Sequence, residues 1–287
     1  METWLIWAIV VIFVSWLHNF TLKIAAERNY DVSVINFYSY LIGVIFLGVY
    51  LIYDFKNIDF WNIYIIALLS FGNSLFFFLS MFSRVKAMKN VDTVIFFPLY
   101  KTFWPILVTI ISLFFFKETL EINEIIWIII WICVPLLLIT SSENKRQKNL
   151  YLWIIFILIT SVLTAFSGSM WKEIMVENLN IWLYLFIWSV FGLIFSIISY
   201  KFITNKNKNK YNKKWLLKIS LISWILHLLS FISFSLALVW NFAVVFTIAS
   251  FSILIPIILS IIFYKDHFDF KKGLVIILSI ISIIMFI

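Results

Sequence analysis

Long apolar blocks separated by short polar segments run the length of the sequence. The blocks are approximately residues 4–22, 34–53, 61–83, 93–116, 125–140, 150–170, 181–200, 216–238, 242–264 and 273–287. A helix needs roughly 20 apolar residues to cross a bilayer. Because lipid offers no hydrogen-bond partner to open backbone groups, each block is expected to be helical. The pattern therefore predicts an all-α membrane protein with ten transmembrane helices.

Composition excludes a soluble protein and a soluble catalytic domain. Hydrophobic residues make up 64% of the chain and charged residues 13%, against about 45–50% and about 25% in soluble domains. The longest polar stretch, residues 204–214, is too short to fold as a domain. The net charge of +8 is spread over short loops, so it indicates orientation in a bilayer and not binding to nucleic acid.

Residues of the same or similar type recur about 150 positions apart. The matched pairs are Asn29 and Asn178, Gly43 and Gly192, Ser70 and Ser220, Asn73 and Ser223, Ser80 and Ser230, Ala87 and Ala237, Pro105 and Pro256, and Lys117 and Lys265. The offset stays between 148 and 151, which indicates that one five-helix unit occurs twice. The predicted domains are a first repeat over residues 1–142, a linker loop over 143–149 and a second repeat over 150–287.

An odd number of helices per unit places the second copy upside down in the membrane, so the two five-helix repeats are predicted to be inverted. Of the 22 lysines and arginines, 17 fall in the odd-numbered loops, 3 in the even-numbered loops and two, Lys101 and Lys218, inside blocks. Since Lys and Arg collect in cytoplasmic loops, we predict that the odd-numbered loops face the cytoplasm and that both termini lie outside.

Short motifs in both halves resemble a known family. The pattern Trp16-x-x-Asn19-Phe20-x-x-Lys23 resembles the first-helix motif of the ten-helix, EamA-type drug/metabolite transporters. Pro105 followed by Phe-Lys-Glu-Thr-Leu at 116–120 is similar to that family's fourth-helix ending, and Tyr-Lys-Asp at 264–266 to its second-copy counterpart. The resemblance implies a multi-pass exporter or exchanger of metabolites with a central cavity between the repeats. Such transporters are usually drawn with cytoplasmic termini; we follow the charge distribution because it is the physical determinant of orientation.

Lys101 lies inside the fourth block, a few residues from its centre. A lysine at the centre of a span costs roughly 2.5–3.5 kcal/mol on insertion scales, so it usually faces a partner or a hydrated cavity. We predict that Lys101 binds an anionic group or serves as a counter-charge. The alternative is that its side chain extends toward the nearer interface.

Polar residues form a stripe on one face of the third helix and another on the eighth. The stripes are Ser70, Asn73, Ser80 and Ser83, and Ser220, Ser223, His227, Ser230 and Ser233. Helical spacing puts each set on one face, where it either lines a cavity or packs against a neighbouring helix. Ser15, His18 and Asn19 of the first helix match Thr164, Ser167 and Gly168 of the sixth. His18, near the end of its block, is interpreted as an interfacial histidine.

The prolines lie within the blocks, at Pro98, Pro105, Pro135 and Pro256. Each frees a backbone carbonyl and permits a kink. Pro105 and Pro256 are repeat-related, so they are the candidate gating positions; fitting of helix shape is the alternative. Glu118 and Asp266 fall at helix ends as caps or lid contacts, and the absence of a carboxylate deep in a block argues against carboxylate-based proton coupling.

The function predicted from these features is transport of a small metabolite, such as an amino acid or organic anion, by alternating access around a central cavity. The predicted substrate-binding residues are Lys101, Asn73, His227, Ser80, Ser230, Asn19, Ser15 and Thr164. We expect no catalytic residues, metal or cofactor, since Cys133 is the single cysteine and no metal-type spacing exists. The expected setting is the cell (inner or plasma) membrane, with the lipid bilayer and a small-molecule substrate as partners and a functional monomer. An intramembrane enzyme is the alternative.

Overall fold

The structure, a computed structural model, describes residues 3–27, 32–55, 61–88, 93–138, 150–202, 213–255 and 270–285. The helices of this part are α1 (Thr3–Glu27), α2 (Val32–Tyr53), α3 (Ile63–Met88), α4 (Thr93–Phe114), α5 (Ile122–Cys133), α6 (Leu150–Val176), α7 (Ile181–Phe202), α8 (Lys213–Ala237), α9 (Phe242–Ser250) and α10 (Phe270–Met285). Turns of 3₁₀ helix, Val134–Leu138 and Phe251–Ile253, continue α5 and α9. The described residues contain no β-strand, and the all-α prediction is confirmed.

Long apolar helices account for most of the apolar blocks. Those long and apolar enough to cross a membrane contain Ser33–Tyr53, Ile63–Arg84, Phe96–Phe114, Leu152–Val176, Ile181–Ser199 and Lys213–Ala237. Shorter apolar helices cover Thr3–His18, Ile122–Leu137 and Gly273–Ser282. Large hydrophobic side chains such as Ile52 and Leu68 lie on the outer surface, as suits a helix in contact with lipid. Ten spans, as a number, stay a prediction.

Helix ends follow local chemistry. Asn241 precedes α9, and its side-chain oxygen accepts a hydrogen bond from the Ala243 N–H, which satisfies one of the open donors of the first turn. At the end of α6, Asn178 adopts a left-handed φ of 48°, a conformation that asparagine tolerates better than most residues. Pro135 lies in the 3₁₀ turn that ends α5, where its missing N–H costs little.

Most of the helix packing in the described residues is between the first half (residues 3–138) and the second half (residues 150–285). Helix α3 packs against α6 and α7, and α8 packs against α1 and α2. Helix α4 packs against α6, and α9 packs against α1. The pairs α2 with α7, α4 with α9 and α5 with α10 also pack together. If α1 to α5 are matched in order with α6 to α10, each of these helix pairs corresponds either to another pair named here or to itself.

Glycines let α2 and α7 approach each other closely. A Cβ added at Gly192 would lie 2.5 Å from Cε1 of Tyr40, and one added at Gly43 would lie 2.8 Å from Nε1 of Trp224 and 3.1 Å from Oγ of Ser189. No real Cβ makes contacts as short as the first two. Both helices therefore require glycine on the face that meets the other half.

Candidate functional site

A first set of polar contacts joins α3, α6 and α7 in the interior. The Asn73 side-chain amide donates a hydrogen bond to the Tyr184 hydroxyl, and its oxygen accepts one from Ser167 Oγ. All three residues are buried. Because buried polar groups need partners, these bonds fix α3 of the first half against α6 and α7 of the second half.

A matching contact joins α1 and α8. Nε2 of His18 lies 3.1 Å from Oγ of Ser223. Along the chain Ser167 follows His18 by 149 residues and Ser223 follows Asn73 by 150. The bond between His18 and Ser223 therefore matches the bond between Ser167 and Asn73 at nearly the same offset along the chain.

A second matched pair of contacts involves hydroxyl groups only. Oγ of Ser80 lies 2.9 Å from Oγ1 of Thr164, and Oγ of Ser15 lies 3.4 Å from Oγ of Ser230. These four residues are related by the same offsets. The structure thus brings the polar residues predicted on α1, α3, α6 and α8 together in cross-half pairs, where they hold helices together in this conformation. The side chain of Asn19 lies outside what the structure describes.

His227 lies in an aromatic environment at the middle of α8. Its ring stacks on Trp188 at 5.1 Å with an interplanar angle of 10°, and it contacts Phe77, 150 residues earlier in the chain, at 5.5 Å between centroids. The His18 ring is 5.3 Å away. Nε2 of His227 and Nε1 of Trp188 are buried and have no hydrogen-bond partner. Such orphan groups require an explanation, and a bound solute would supply one.

His18 lies further from the end of its helix than the sequence predicts. Helix α1 continues to Glu27, beyond the apolar block that ended at residue 22. His18 therefore lies within the helix, beside His227, and its interfacial placement stays a prediction. In the described residues no group of three or more His, Cys, Asp or Glu side chains could hold a metal ion at these rings.

Lys101 is buried between α4 and the 3₁₀ turn after α9. Its Nζ donates a hydrogen bond of 3.0 Å to Ser252 Oγ and lies 4.8 Å from the centroid of the Trp104 ring. The side chain is 7% exposed, so it does not extend to an interface. Within the described part of the chain it has no carboxylate partner.

Glu118 and Lys172 anchor a network that joins the halves at one end of the helices. Oε1 of Glu118 lies 2.8 Å from Nζ of Lys172. Lys172 also donates to the carbonyl oxygens of Leu238 and Trp240, at 2.9 and 2.8 Å. The other carboxylate oxygen, Oε2, accepts from the backbone N–H of Phe242 at 2.8 Å and from Ser112 Oγ. This Glu118–Lys172 network connects the α4–α5 segment, α6 and the α8–α9 turn.

The start of α1 packs at the same end of the helices, which we call the closed end because Glu118, Lys172, Trp4 and Trp240 join the two halves there. The Trp4 ring stacks on the Trp240 ring, with centroids 5.2 Å apart. Asn241 Nδ2 donates to the carbonyl of Thr119. The residues that the predicted repeat pairs with Lys172 and Glu118 are Lys23 and Asp266, and the Lys23 side chain and Asp266 lie outside what the structure describes.

The structure describes one of the two candidate gating prolines, Pro105. Pro105 is buried inside α4, one turn after Lys101, so a kink there would move the lysine. Pro256 lies outside the described residues. The gating role of both stays a prediction.

Sequence reasoning missed several residues of the site. Tyr184 and Trp188 belong to an apolar, aromatic block in which no pattern sets them apart. The apolar block ends at residue 83, which places Arg84 among the loop charges, whereas α3 runs to Met88. The placement of Arg84 within the helix was therefore out of reach of hydropathy alone.

Comparisons with known proteins agree with this architecture. Residues 2–140 match the EamA-like transporter family. No protein with a curated description matches. Among matching solved structures is a crystal structure of a protein with 9% sequence identity and a TM-score of 0.74, which covers 99% of this chain and 98% of that one; at this identity the likeness concerns the fold alone. The match identifies this part of the chain, residues 2–140, with the EamA-like transporter family.

Proposed function

We propose that this membrane transporter moves a small metabolite, such as an amino acid or organic anion, by alternating access around a space between two inverted five-helix repeats. The repeats are residues 1–142 and 150–287, joined by the linker 143–149. The protein acts as an exporter or exchanger in the cell (inner or plasma) membrane and works as a monomer. The observation that carries the proposal is that cross-half contacts occur in repeat-related pairs.

Helix direction supports the inversion. The start of α1, through Trp4, and the end of α6, through Lys172, both contact the α8–α9 turn. Helices α1 and α6 therefore run in opposite directions, as copies related by a two-fold axis in the membrane plane would. The paired contacts of α3 with α6 and α8 with α1 agree with that axis.

The Glu118–Lys172 network supports alternating access. Its ion pair and the hydrogen bond from the Phe242 N–H to Glu118 join the two halves, which rocking would separate. The other three hydrogen bonds hold Glu118 and Lys172 to their own halves. The cross-half hydroxyl pairs at mid-span are neutral bonds of modest net strength, about 1 kcal/mol each. They can exchange with water or a solute when the halves move apart.

The buried polar groups support a solute site between the halves. Lys101 provides a cation, and the side chains of His227 and Trp188 provide unpartnered nitrogens. An anionic substrate bound by Lys101 and oriented by Asn73, His227 and the nearby hydroxyls of Ser15, Ser80, Thr164 and Ser230 would use the groups that lipid cannot satisfy.

The test is solute flux in proteoliposomes. Vesicles loaded with a mixture of amino acids and organic acids are reconstituted with the full chain, and released solutes are identified by mass spectrometry. We expect selective release that is lost with Lys101→Met and retained with the lipid-facing Leu68→Met. Release no greater than from protein-free vesicles, together with chemical conversion of a solute in detergent, would favour the intramembrane enzyme.

A further inference from the structure

Arg84 and Lys101 flank the ring of Tyr100. The Arg84 guanidinium carbon lies 4.8 Å from the ring centroid and Lys101 Nζ lies 5.9 Å from it. Arg84 Nη2 donates a 2.8 Å hydrogen bond to the Tyr100 hydroxyl. We refer to these two basic side chains as the Tyr100 cation pair.

The pair carries two positive charges and no counter-charge. In the described part of the chain neither Arg84 nor Lys101 has a carboxylate partner. Tyr100 and Lys101 are buried, and the Nε atom of Arg84 is buried without a hydrogen-bond partner. Like charges brought together away from water repel each other more strongly than at a surface, so the arrangement favours an anion.

The unsatisfied groups around the pair are donors. Nε of Arg84 and Nε1 of Trp104 are both buried and without an acceptor, and Trp104 stacks on Tyr100 at 5.9 Å. Lys101 has three N–H donors and one acceptor, Ser252 Oγ. A site that presents donors without acceptors is complementary to an oxyanion, because carboxylate and phosphate oxygens accept several hydrogen bonds.

Both halves of the chain contribute to the surroundings of the pair. The Tyr100 hydroxyl donates to Thr164 Oγ1 at 3.3 Å, and Thr164 bonds Ser80. Lys101 reaches Ser252 in the second half. An anion held here would therefore contact groups that separate or approach when the halves move, as a transported solute must.

We propose that the Tyr100 cation pair is a binding site for an organic dianion, whose two negative charges are shared between Arg84 and Lys101. This rests on the proposed transport function and narrows its substrate class. Arg84 presents a planar set of donors suited to two oxygens of one group, and Lys101 adds a point charge. A monoanion would neutralise only one of the two cations.

The experiment compares matched solutes on the purified full chain in lipid nanodiscs. Succinate and butyrate share a four-carbon skeleton and differ in one carboxylate, and methyl phosphate carries its negative charge on a single group. Binding is followed by tryptophan fluorescence, because Trp104 lies against Lys101. We expect succinate or methyl phosphate to bind at least tenfold more tightly than butyrate. Tighter binding of succinate would indicate a dicarboxylate site, and tighter binding of methyl phosphate a phosphomonoester site. Equal affinity for all three solutes, or no binding of any, would overturn the proposal.

Variants assign the preference to the pair. Arg84→Met and Lys101→Met should each reduce the dianion preference to within about twofold, and Arg84→Lys should keep part of it. The control is Lys218→Met, which removes an exposed lysine that also lies over an indole ring, that of Trp215; it should bind as wild type does. A full dianion preference in a folded Arg84→Met protein would exclude Arg84. If neither methionine variant folds, the solute comparison on the wild-type protein still tests the dianion preference, and Arg84→Lys still tests the contribution of Arg84.

Flux of the same solutes separates this proposal from the transport function. Dianion binding without flux in proteoliposomes would support the dianion site and contradict the proposed transport function. Flux of other solutes without a preference for dianions would support the transport function and contradict the dianion site.

Discussion

At the scale of single residues, the interior polar groups fall into two kinds. Asn73, Ser167 and Tyr184 satisfy one another, so they contribute to stability and to the registration of α3 against α6. Lys101 and His227 are less well satisfied: the first lacks an anion in the described residues, and the second has an unpartnered Nε2. Buried polar groups that the protein satisfies only in part are the natural candidates for binding a solute.

Replacing Lys101 by methionine should reduce flux by at least tenfold while leaving the detergent melting temperature unchanged or higher. The reason is that the buried charge is a cost to folding and methionine keeps much of the apolar length. His227→Phe, which copies its repeat counterpart, should also reduce flux. Unchanged flux in both variants would remove these residues from the substrate site.

Asn73→Ala should behave differently. It leaves the Tyr184 hydroxyl and Ser167 Oγ without their partner, at a cost of about 1–3 kcal/mol. We therefore expect the melting temperature and the flux to fall together. A large loss of flux at an unchanged melting temperature would instead indicate direct contact between Asn73 and the solute.

At the scale of helices, hydropathy predicted where the elements lie but not how they end or meet. The apolar blocks match the helices closely, because a lipid-exposed segment must be both apolar and helical. The lengths of α1 and α3 were underestimated, since Lys, Arg and Glu in their last turns reduce hydropathy without stopping a helix. That error places Arg84 in a loop. Contacts such as Asn73 with Tyr184 depend on helix rotation and crossing angle, which the pattern of one helix does not specify.

The crossing of α2 and α7 should be sensitive to a single methyl group. Gly192→Ala places a Cβ against the half-buried Tyr40 ring and should lower stability by about 1–3 kcal/mol, as overpacking does. Gly72→Ala is the matched control, since its Cβ would lie 3.6 Å from Sδ of Met170, an ordinary contact. Melting temperatures in detergent measure both. Equal effects of the two substitutions would show that the crossing is not close-packed.

At the scale of the whole molecule, the closed end depends on one buried ion pair. Glu118→Gln should destabilise this conformation by about 3–5 kcal/mol, because Lys172 remains buried without its anion. Lys172→Met combined with Glu118→Gln should recover part of the loss. Trp240→Cys is introduced in a Cys133→Ser background as a reporter of exposure. Its thiol should react faster with a soluble thiol reagent when Glu118→Gln is also present than when Glu118 is intact. Equal reaction rates would mean that the network does not hold this end closed.

Orientation follows from the charge distribution over the whole chain. With the odd-numbered loops in the cytoplasm, Lys208→Cys in a Cys133→Ser background should react with a membrane-impermeant thiol label only after the cells are opened. Labelling of intact cells from outside would reverse the predicted orientation.

The bond between Lys101 and Ser252 has a consequence for ancestry. The two residues occupy equivalent positions in the two proposed repeats, 151 residues apart, so each is the other's counterpart across the pseudo-axis. In a dimer of identical five-helix chains, a residue at such a position meets its own copy, and a lysine would face a second lysine in a dry interior. Joining the two copies in one gene frees them to diverge. Only then can different residues meet across the pseudo-axis, such as Lys101 opposite Ser252 and His227 opposite Phe77. A separated, self-associating half of this protein would therefore have to lose the lysine before it could assemble.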